Sequence, residues 1–308
     1  MRFVENVLTE ICAAAARGER AALVTLIGIE GSSPRPLGSQ IAVMEDGHHV
    51  GMITGGCAEK AIASEAVARL KSGENGIVRY GAGSPFLDVV LPCGSGIDLF
   101  FEARDAVHIA EGATELNLAR EPARMVINRD MLTSRLLASQ EKPQADEFVK
   151  QIDPAFRLFL FGEGPNLVAC ALMAQTAGYE VFAFSPDKET LAVLKDEGVE
   201  TQTIHREADF SALPFDRYSG VVTLFHEHEW EAGILRAALN SEADYIGALG
   251  SRRTHAERLE ALRKGPETRR NGDIIRGPVG VDIGAANPNE IAVSILAELT
   301  ALRRRGRA

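Results

Sequence analysis

The chain reads as an α/β fold in two parts, an N-terminal α/β domain and a C-terminal domain built on a parallel sheet. Three observations carry that reading. From Arg157 onward, short apolar runs alternate with helix-period stretches, the pattern of βαβ units. The turn Gly162-Glu163-Gly164 stands between the first of those strands and the helix after it, which is half of a dinucleotide-type fingerprint and makes this part Rossmann-like. Before Arg157 the strands instead come as a hairpin and turn-joined pairs, interleaved with helices.

The 308 residues suffice for two ordinary domains, and 45% hydrophobic with 25% charged content is typical of globular chains. The expected division is residues 1–140, a polar linker over 141–154, and residues 155–308. A net charge of −10 argues against a nucleic-acid partner, which calls for a basic face. The one basic cluster, Arg303-Arg304-Arg305 with Arg307, suits a solvated helix end. The four cysteines Cys12, Cys57, Cys93 and Cys170 include no C-x-x-C pair, so a structural zinc or thioredoxin-type motif is not expected. No signal-peptide pattern and no apolar run of about 18 residues stand in the chain, so no membrane span is expected and a cytoplasmic setting with reduced thiols is.

Taken in order, residues 2–17 place Phe3, Val7, Leu8 and Ile11 at helical spacing, with Cys12 in the same helix. Residues 21–29 are apolar and β-branched, a buried strand. The loop from Glu30 to Ser39 holds Arg35 between Pro34 and Pro36; the two rings stiffen the backbone around one cation, which favours contact with an anionic ligand. Ile41–Glu45 and His49–Ile53 form a hairpin about Asp46-Gly47. Thr54-Gly55-Gly56-Cys57 then leads into a helix over Ala58–Lys71, ended by Gly73. Strands follow at Ile77–Tyr80, Asp88–Leu91 and Ile97–Phe101, the last after the turn Pro92-Cys93-Gly94-Ser95-Gly96. One helical piece and a strand at Arg124–Ile127 occupy 105–140, and the polar stretch Gln140–Asp153 reads as the linker.

In the second part, strands are expected at Arg157–Phe161, Tyr179–Phe184, Thr201–Ile204, Gly220–Phe225 and Tyr245–Leu249. Helices are expected over Asn166–Ala177, Leu191–Gly198 and Glu231–Leu239. Thr254-His255-Ala256-Glu257 matches a capping box, and Asn287-Pro288-Asn289-Glu290 opens a helix of about Pro288–Arg303.

Chemistry concentrates in a few places. Helix N-termini favour thiolates, and Cys57 stands at one with Gly55 and Gly56 before it; the competing reading is a small buried cysteine. Cys93 lies in a second glycine-rich turn, and Cys170 on the apolar face of the first Rossmann helix, where it reads as core. Gly162 and Gly164 let a backbone approach a phosphate at a helix N-terminus. The third fingerprint position is Leu167, however, and Ser185-Pro186 replaces the acid that would hold a ribose, with Asp187 late; both argue against ordinary NAD binding. His226 and His228 follow a strand end where ligands bind in open α/β sheets, with no third metal ligand evident. Ser251, Arg252 and Arg253 open another helix, a ready anion site. The run from Gly277 through Asp282 and Gly284 to Ala286 is too glycine-rich for a core strand, and Asp282 could accept hydrogen bonds from a purine- or pterin-like ring or serve as a turn residue.

The succession GSSPRPLGSQ, TGGCAEKA, LPCGSG, YIGALGSRRT and GPVGVDIGAANPNEIAVSILAEL resembles the XdhC/CoxI family of xanthine dehydrogenase accessory proteins, in order and over nearly the whole chain. That resemblance implies an XdhC/CoxI N-terminal domain, a Rossmann-like C-terminal domain, and frequent homodimers. It implies binding of molybdenum cofactor, help in its sulfuration with a cysteine desulfurase, and delivery to a xanthine dehydrogenase-type molybdenum hydroxylase. The residues whose chemistry suits that cargo are Arg35, Gly55, Gly56, Cys57, Cys93, Gly162, Gly164, His226, Ser251, Arg252, Asp282 and Gly284; a thiolate at Cys57 or Cys93 could sit near molybdenum, with Cys57 the first choice. Departures are Thr54 for the family's Ser, Ser95 for its Gly, and Phe225-His226 for its Thr-His. The cofactor variant, plain or carrying a cytosine or guanine nucleotide, stays open. So do two other classes of function: an NAD(P)-dependent oxidoreductase using the Rossmann half, and a thiol redox protein using Cys57 and Cys93.

Overall fold

The structure, a computed structural model, describes residues 6–84, 94–205, 210–225 and 230–305. It divides into two compact units, Met1–Pro154 and Ala155–Ala308.

The first unit is organised by an antiparallel five-stranded sheet in the order β3-β2-β1-β5-β4. Its strands are β1 (Ala21–Glu30), β2 (Gln40–Met44), β3 (His49–Gly51), β4 (Gly76–Gly81) and β5 (Gly96–Glu102). β1 is buried over its first seven residues because both faces are covered. Leu23, Ile27, Ala42 and Phe100 face α1 (Leu8–Ala16) and α3 (Ala106–Leu118), while Val24, Leu26, Ile41 and Phe101 face α2 (Glu59–Ser72). That alternation is the two-residue strand period. A register shift at Leu26/Gly28 bends β1, and Gly28 is required there because a Cβ would lie 2.5 Å from the Asp98 carboxylate.

A second, three-stranded sheet in the order β7-β6-β8 closes the unit. It comprises β6 (Ala123–Asn128), β7 (Thr133–Leu136) and β8 (Phe148–Ile152). β8 corrects the linker reading of 141–154. Its polar composition reflects an edge strand with alternate residues facing outward, and Ile152 and Phe148 still pair with Ala123 and Ile127.

The second unit holds a fully parallel sheet in the order β11-β10-β9-β12-β13. Its strands are β9 (Arg157–Gly162), β10 (Glu180–Ser185), β11 (Glu200–Thr203), β12 (Ser219–Leu224) and β13 (Tyr245–Ala248). The helices are α4 (Gly164–Thr176), α5 (Lys188–Asp196), α6 (Glu231–Asn240), α7 (Arg252–Lys264) and α8 (Pro288–Arg305). Leu158 and Leu160 pack with α4 and α8, whereas Phe159 and Phe161 point to the α6 side among Phe184, Phe210 and Phe215. Beyond β13 the main chain continues the ladder: Arg276 N donates to Ile246 O, Ala248 N to Arg276 O, and Val279 N to Ala248 O.

Candidate functional site

In the first unit, register decides which loops meet. Glu30 ends β1 opposite Gly96, Thr25 pairs with Gln40, Ile41 with Gly51, and Gly81 with Gly96. The end of β1, the start of β2, the end of β3, the end of β4 and the start of β5 therefore share one edge of the sheet. The loops carrying Arg35 and Cys57 both leave from that edge, and Gly94 and Ser95 enter it. Cys93 lies outside the described residues.

The Arg35 loop is held at both ends. Gly38 N donates to Leu26 O at 2.8 Å, Leu26 N donates to Ser39 O at 2.9 Å, and Arg129 reaches the carbonyl of Ile27 at 2.7 Å. Arg35 is half-buried within it.

The Cys57 turn is built around a buried carboxylate that sequence reasoning missed. Glu59, only 7% exposed, accepts from Ile53 N (3.1 Å) and Thr54 N (2.7 Å) at Oε1. At Oε2 it accepts from the Thr54 hydroxyl (2.5 Å) and Gly56 N (2.8 Å). Thr54 Oγ1 in turn accepts from Ala58 N at 2.9 Å. Gly55 and Gly56 take φ of 77° and 104°, conformations other residues reach only with strain, and Cys57 is exposed. The expectation of a thiol presented at a helix start, rather than a buried small residue, is what the structure places there. Cys170, by contrast, is core, and burial pushes its thiol up to about 12. Cys12 packs against the α1–α3 core, its sulfur 3.7 Å from the Thr114 hydroxyl. The Thr54–Glu59 spacing of five fits no capping-box template, so the only sequence signal was an acid in the first turn after a Gly-Gly pair.

Burial alone would raise the Glu59 pKa. The Thr54 hydroxyl and the amides of Thr54 and Ile53 outweigh that and hold it below the usual carboxylate range. A depressed folded-state pKa stabilises the protein above the unfolded value, about 4.3, and that contribution disappears as pH falls through the folded value. Urea midpoints measured from pH 7 down to pH 3 should therefore show an acid-side loss of stability. Glu59→Gln should lower stability at pH 7 by about 2–4 kcal/mol, since it breaks hydrogen bonds to a charged group worth about 1.5–3 kcal/mol each, and should flatten that part of the curve.

In the second unit the expected residues gather at the carboxyl edge of the parallel sheet. The strand order reverses at β9, with β10 on one side and β12 on the other, so the edge near Gly162 is the switch point where α/β sheets bind ligands. A Cβ on Gly162 would stand 2.8 Å from that of Leu224, so this glycine permits close β9–β12 packing. Gly164 turns into α4 at φ 66°. Its amide, however, donates to the Thr190 hydroxyl at 2.9 Å. Asp187 is also engaged, capping α5 by accepting from the amides of Glu189 and Thr190 and from the Thr190 hydroxyl. Both groups that an NAD-type site would use are thus tied to α5.

Ser251 caps α7 by accepting from Thr254 N at 3.1 Å, leaving Arg252 exposed at the helix start. This corrects the Thr254 capping box: Ser251 is the extended residue (φ −79°, ψ 167°), Thr254 already lies within α7, and Glu257 pairs with Arg253 instead. From Val279 the chain passes the carboxyl edge into an exposed stretch with Asp282 and Gly284. There the expected cap of α8 holds: Glu290 N donates to Asn287 Oδ1 and Ala286 N to Glu290 Oε2. His226 and His228 lie outside the described residues.

Beneath this edge lies a second feature without a sequence signal. Glu231 and Arg258 form an ion pair at 3.0 Å with side chains 2% and 4% exposed. Glu231 also accepts from Thr223 at the end of β12, and Arg258 donates to Leu249 O after β13 at 2.7 Å. One cluster so joins two strand ends to the start of α6 and the middle of α7. His255 sits 3.5 Å from Arg258, and burial together with that cation lowers its pKa. A cleft of about 240 Å³ lined by Leu239, Leu262, Arg263 and Arg270 lies at the far ends of α6 and α7, on the opposite rim from these residues. Among the described residues no group of three or more His, Cys, Asp or Glu could hold a metal ion, and no helix is long and apolar enough to cross a membrane.

Comparison with known proteins agrees with this architecture. The XdhC Rossmann domain model matches residues 158–299, and the XdhC and CoxI family model matches residues 14–81. A molybdenum cofactor insertion chaperone, PaoD of Escherichia coli (strain K12), is 33% identical over 289 residues, covering 93% of this chain and 84% of that protein. A protein of Bacillus subtilis (strain 168) described as a probable xanthine dehydrogenase subunit is 24% identical over 320 residues, 93% of this chain and 94% of its own. Among solved structures, one described as a xanthine dehydrogenase from Bacillus halodurans superposes with a TM-score of 0.76 at 21% identity, over 97% of this chain and 96% of that one; this likeness concerns the fold.

Proposed function

Because the chain belongs to the XdhC and CoxI family, we propose that it is an accessory protein that binds molybdenum cofactor, protects it, supports its sulfuration and inserts it into a xanthine dehydrogenase-type molybdenum hydroxylase. The observation that carries this reading is the relation, over nearly the full length of both chains, to a protein described as a molybdenum cofactor insertion chaperone. The cofactor is cargo, and the chain has no turnover of its own. A cysteine desulfurase supplies the sulfur, the chain acts as a homodimer, and the setting is cytoplasmic, where an exposed thiol such as Cys57 stays reduced.

The donor set suits such a cargo. The cofactor joins a phosphate to a pterin and a dithiolene-held molybdenum. Cys57 presents a soft sulfur ligand, the kind transition metals of this character accept. Gly55 and Gly56 bring backbone close to it. Arg35 in its braced loop and Arg252 at the start of α7 are candidates for the phosphate, with Ser251, Asp282 and Gly284 beside the latter edge. Cys93, Gly162, Gly164 and His226 complete the proposed set. The oxidoreductase alternative is weakened by the engagement of Gly164 and Asp187 with α5.

Mass spectrometry of small molecules released from the purified protein tests the proposal. A molybdopterin, with or without a nucleotide, is the expected product. Calorimetric binding of NAD or NADP with no molybdopterin released or bound would overturn it.

A further inference from the structure

We infer that Glu59 is the positioning residue for Cys57: its carboxylate holds the Thr54–Ala58 turn so that the thiol and its flanking backbone stand ready for the cargo. The inference rests on the reading above that Cys57 meets the cofactor. What points to it is the direction in which the carboxylate reaches.

A helix start is ordinarily served by a Ser, Thr or Asp cap that accepts from the first helical amides. Here the N-cap is Ala58, which has no side chain to offer. Glu59 turns back instead, to Ile53, Thr54 and Gly56, all in the loop before the helix. Each of its oxygens accepts two hydrogen bonds, which fills the acceptor capacity of a carboxylate. The Thr54 hydroxyl extends the hold to Ala58 N. The residues on either side of Cys57 are therefore anchored to one anion, directly at Gly56 and through Thr54 at Ala58, while Cys57 itself remains exposed. The turn needs such an anchor. Gly55 and Gly56 are the most permissive residues available, and a Cβ at either would meet nothing within 4 Å, so packing does not fix them.

The test uses the full chain, produced with the cofactor, and reads retained molybdopterin per chain well below the melting temperature, amide hydrogen exchange at Thr54 and Gly56, and thermal melting. Glu59→Gln keeps the shape but turns one acceptor oxygen into a donor facing two donors. It should speed both amides about tenfold or more and lower retention by a similar factor, the size of a lost charged hydrogen bond. Thr54→Val should lower retention too, whereas Thr54→Ser, which keeps the hydroxyl, should restore it. Glu102→Gln alters another buried carboxylate, at the opposite end of β5, and should reduce thermal stability without changing retention. Wild-type retention in folded Glu59→Gln, when Cys57→Ala loses cofactor, overturns the inference. Equal retention in Thr54→Val and Thr54→Ser does the same, and those two decide if Glu59→Gln does not fold. If Cys57→Ala also retains cofactor, the functional reading fails separately. The Cys57 alkylation rate, followed on its peptide by mass spectrometry, then decides for Glu59: a changed rate in Glu59→Gln supports positioning, and an unchanged one overturns it.

Discussion

Cys57→Ala is expected to reduce delivery of molybdenum cofactor to an apo-hydroxylase by about 100-fold or more, with almost no effect on folding. The stability side follows from exposure: the thiol makes no core contact, and substitutions of that kind stay within about 0.5 kcal/mol. The functional side follows from ligand chemistry. Removing a residue that merely supports a metal ligand costs about 10–100-fold, so removing the direct contact proposed for Cys57 should cost at least as much. Reconstitution of hydroxylase activity from loaded chaperone measures delivery, and a melting curve checks the fold. Cys57→Ser separates sulfur chemistry from shape, since oxygen is a harder donor of similar size. Delivery at the wild-type rate by Cys57→Ala would refute the assignment of this residue.

The largest effect on stability is expected at the ion pair beneath the parallel sheet. Arg258→Met leaves the Glu231 carboxylate buried without its cation and leaves the carbonyl of Leu249 without its donor. Breaking a buried pair in this way costs about 3–5 kcal/mol. Changing both partners, Arg258→Met with Glu231→Leu, should recover much of the loss, since an apolar pair needs no compensation. Urea unfolding of the single and double variants measures this. Equal stability of Arg258→Met and the unsubstituted protein would refute it.

The sequence made the architecture legible where periodicity is strong. The βαβ alternation after Arg157, the hairpin about Asp46-Gly47 and the Asn287–Glu290 cap all read directly, because each depends on neighbours in the chain. What it hid depends on distant partners. β8 looks like linker until β6 is seen to lie against it. The choice between Ser251 and Thr254 as cap turns on where α7 begins, since Ser251 holds the extended backbone before Arg252 and Thr254 already lies inside the helix, and no template encodes that. At the candidate site, Cys57 was readable as a thiol after two glycines. Glu59 was not, because five residues separate it from Thr54 and a carboxylate in a first turn ordinarily reads as solvated. Glu231 and Arg258, twenty-seven residues apart, carry no local pattern at all. That Gly164 and Asp187 are occupied by α5 is likewise a matter of folded proximity.

The stretch from Arg276 to Val279 has a consequence for how the second domain behaves in a crowded solution. A parallel sheet that ended at β13 would offer a bare row of amides and carbonyls to any passing extended chain, which is how edge-to-edge aggregation begins. Bonding of Arg276 and Val279 to Ile246 and Ala248 occupies that row with the protein's own backbone. At the other margin β11 is only four residues long and polar, Glu-Thr-Gln-Thr, a poor template for a foreign strand. Neither rim invites fibre growth.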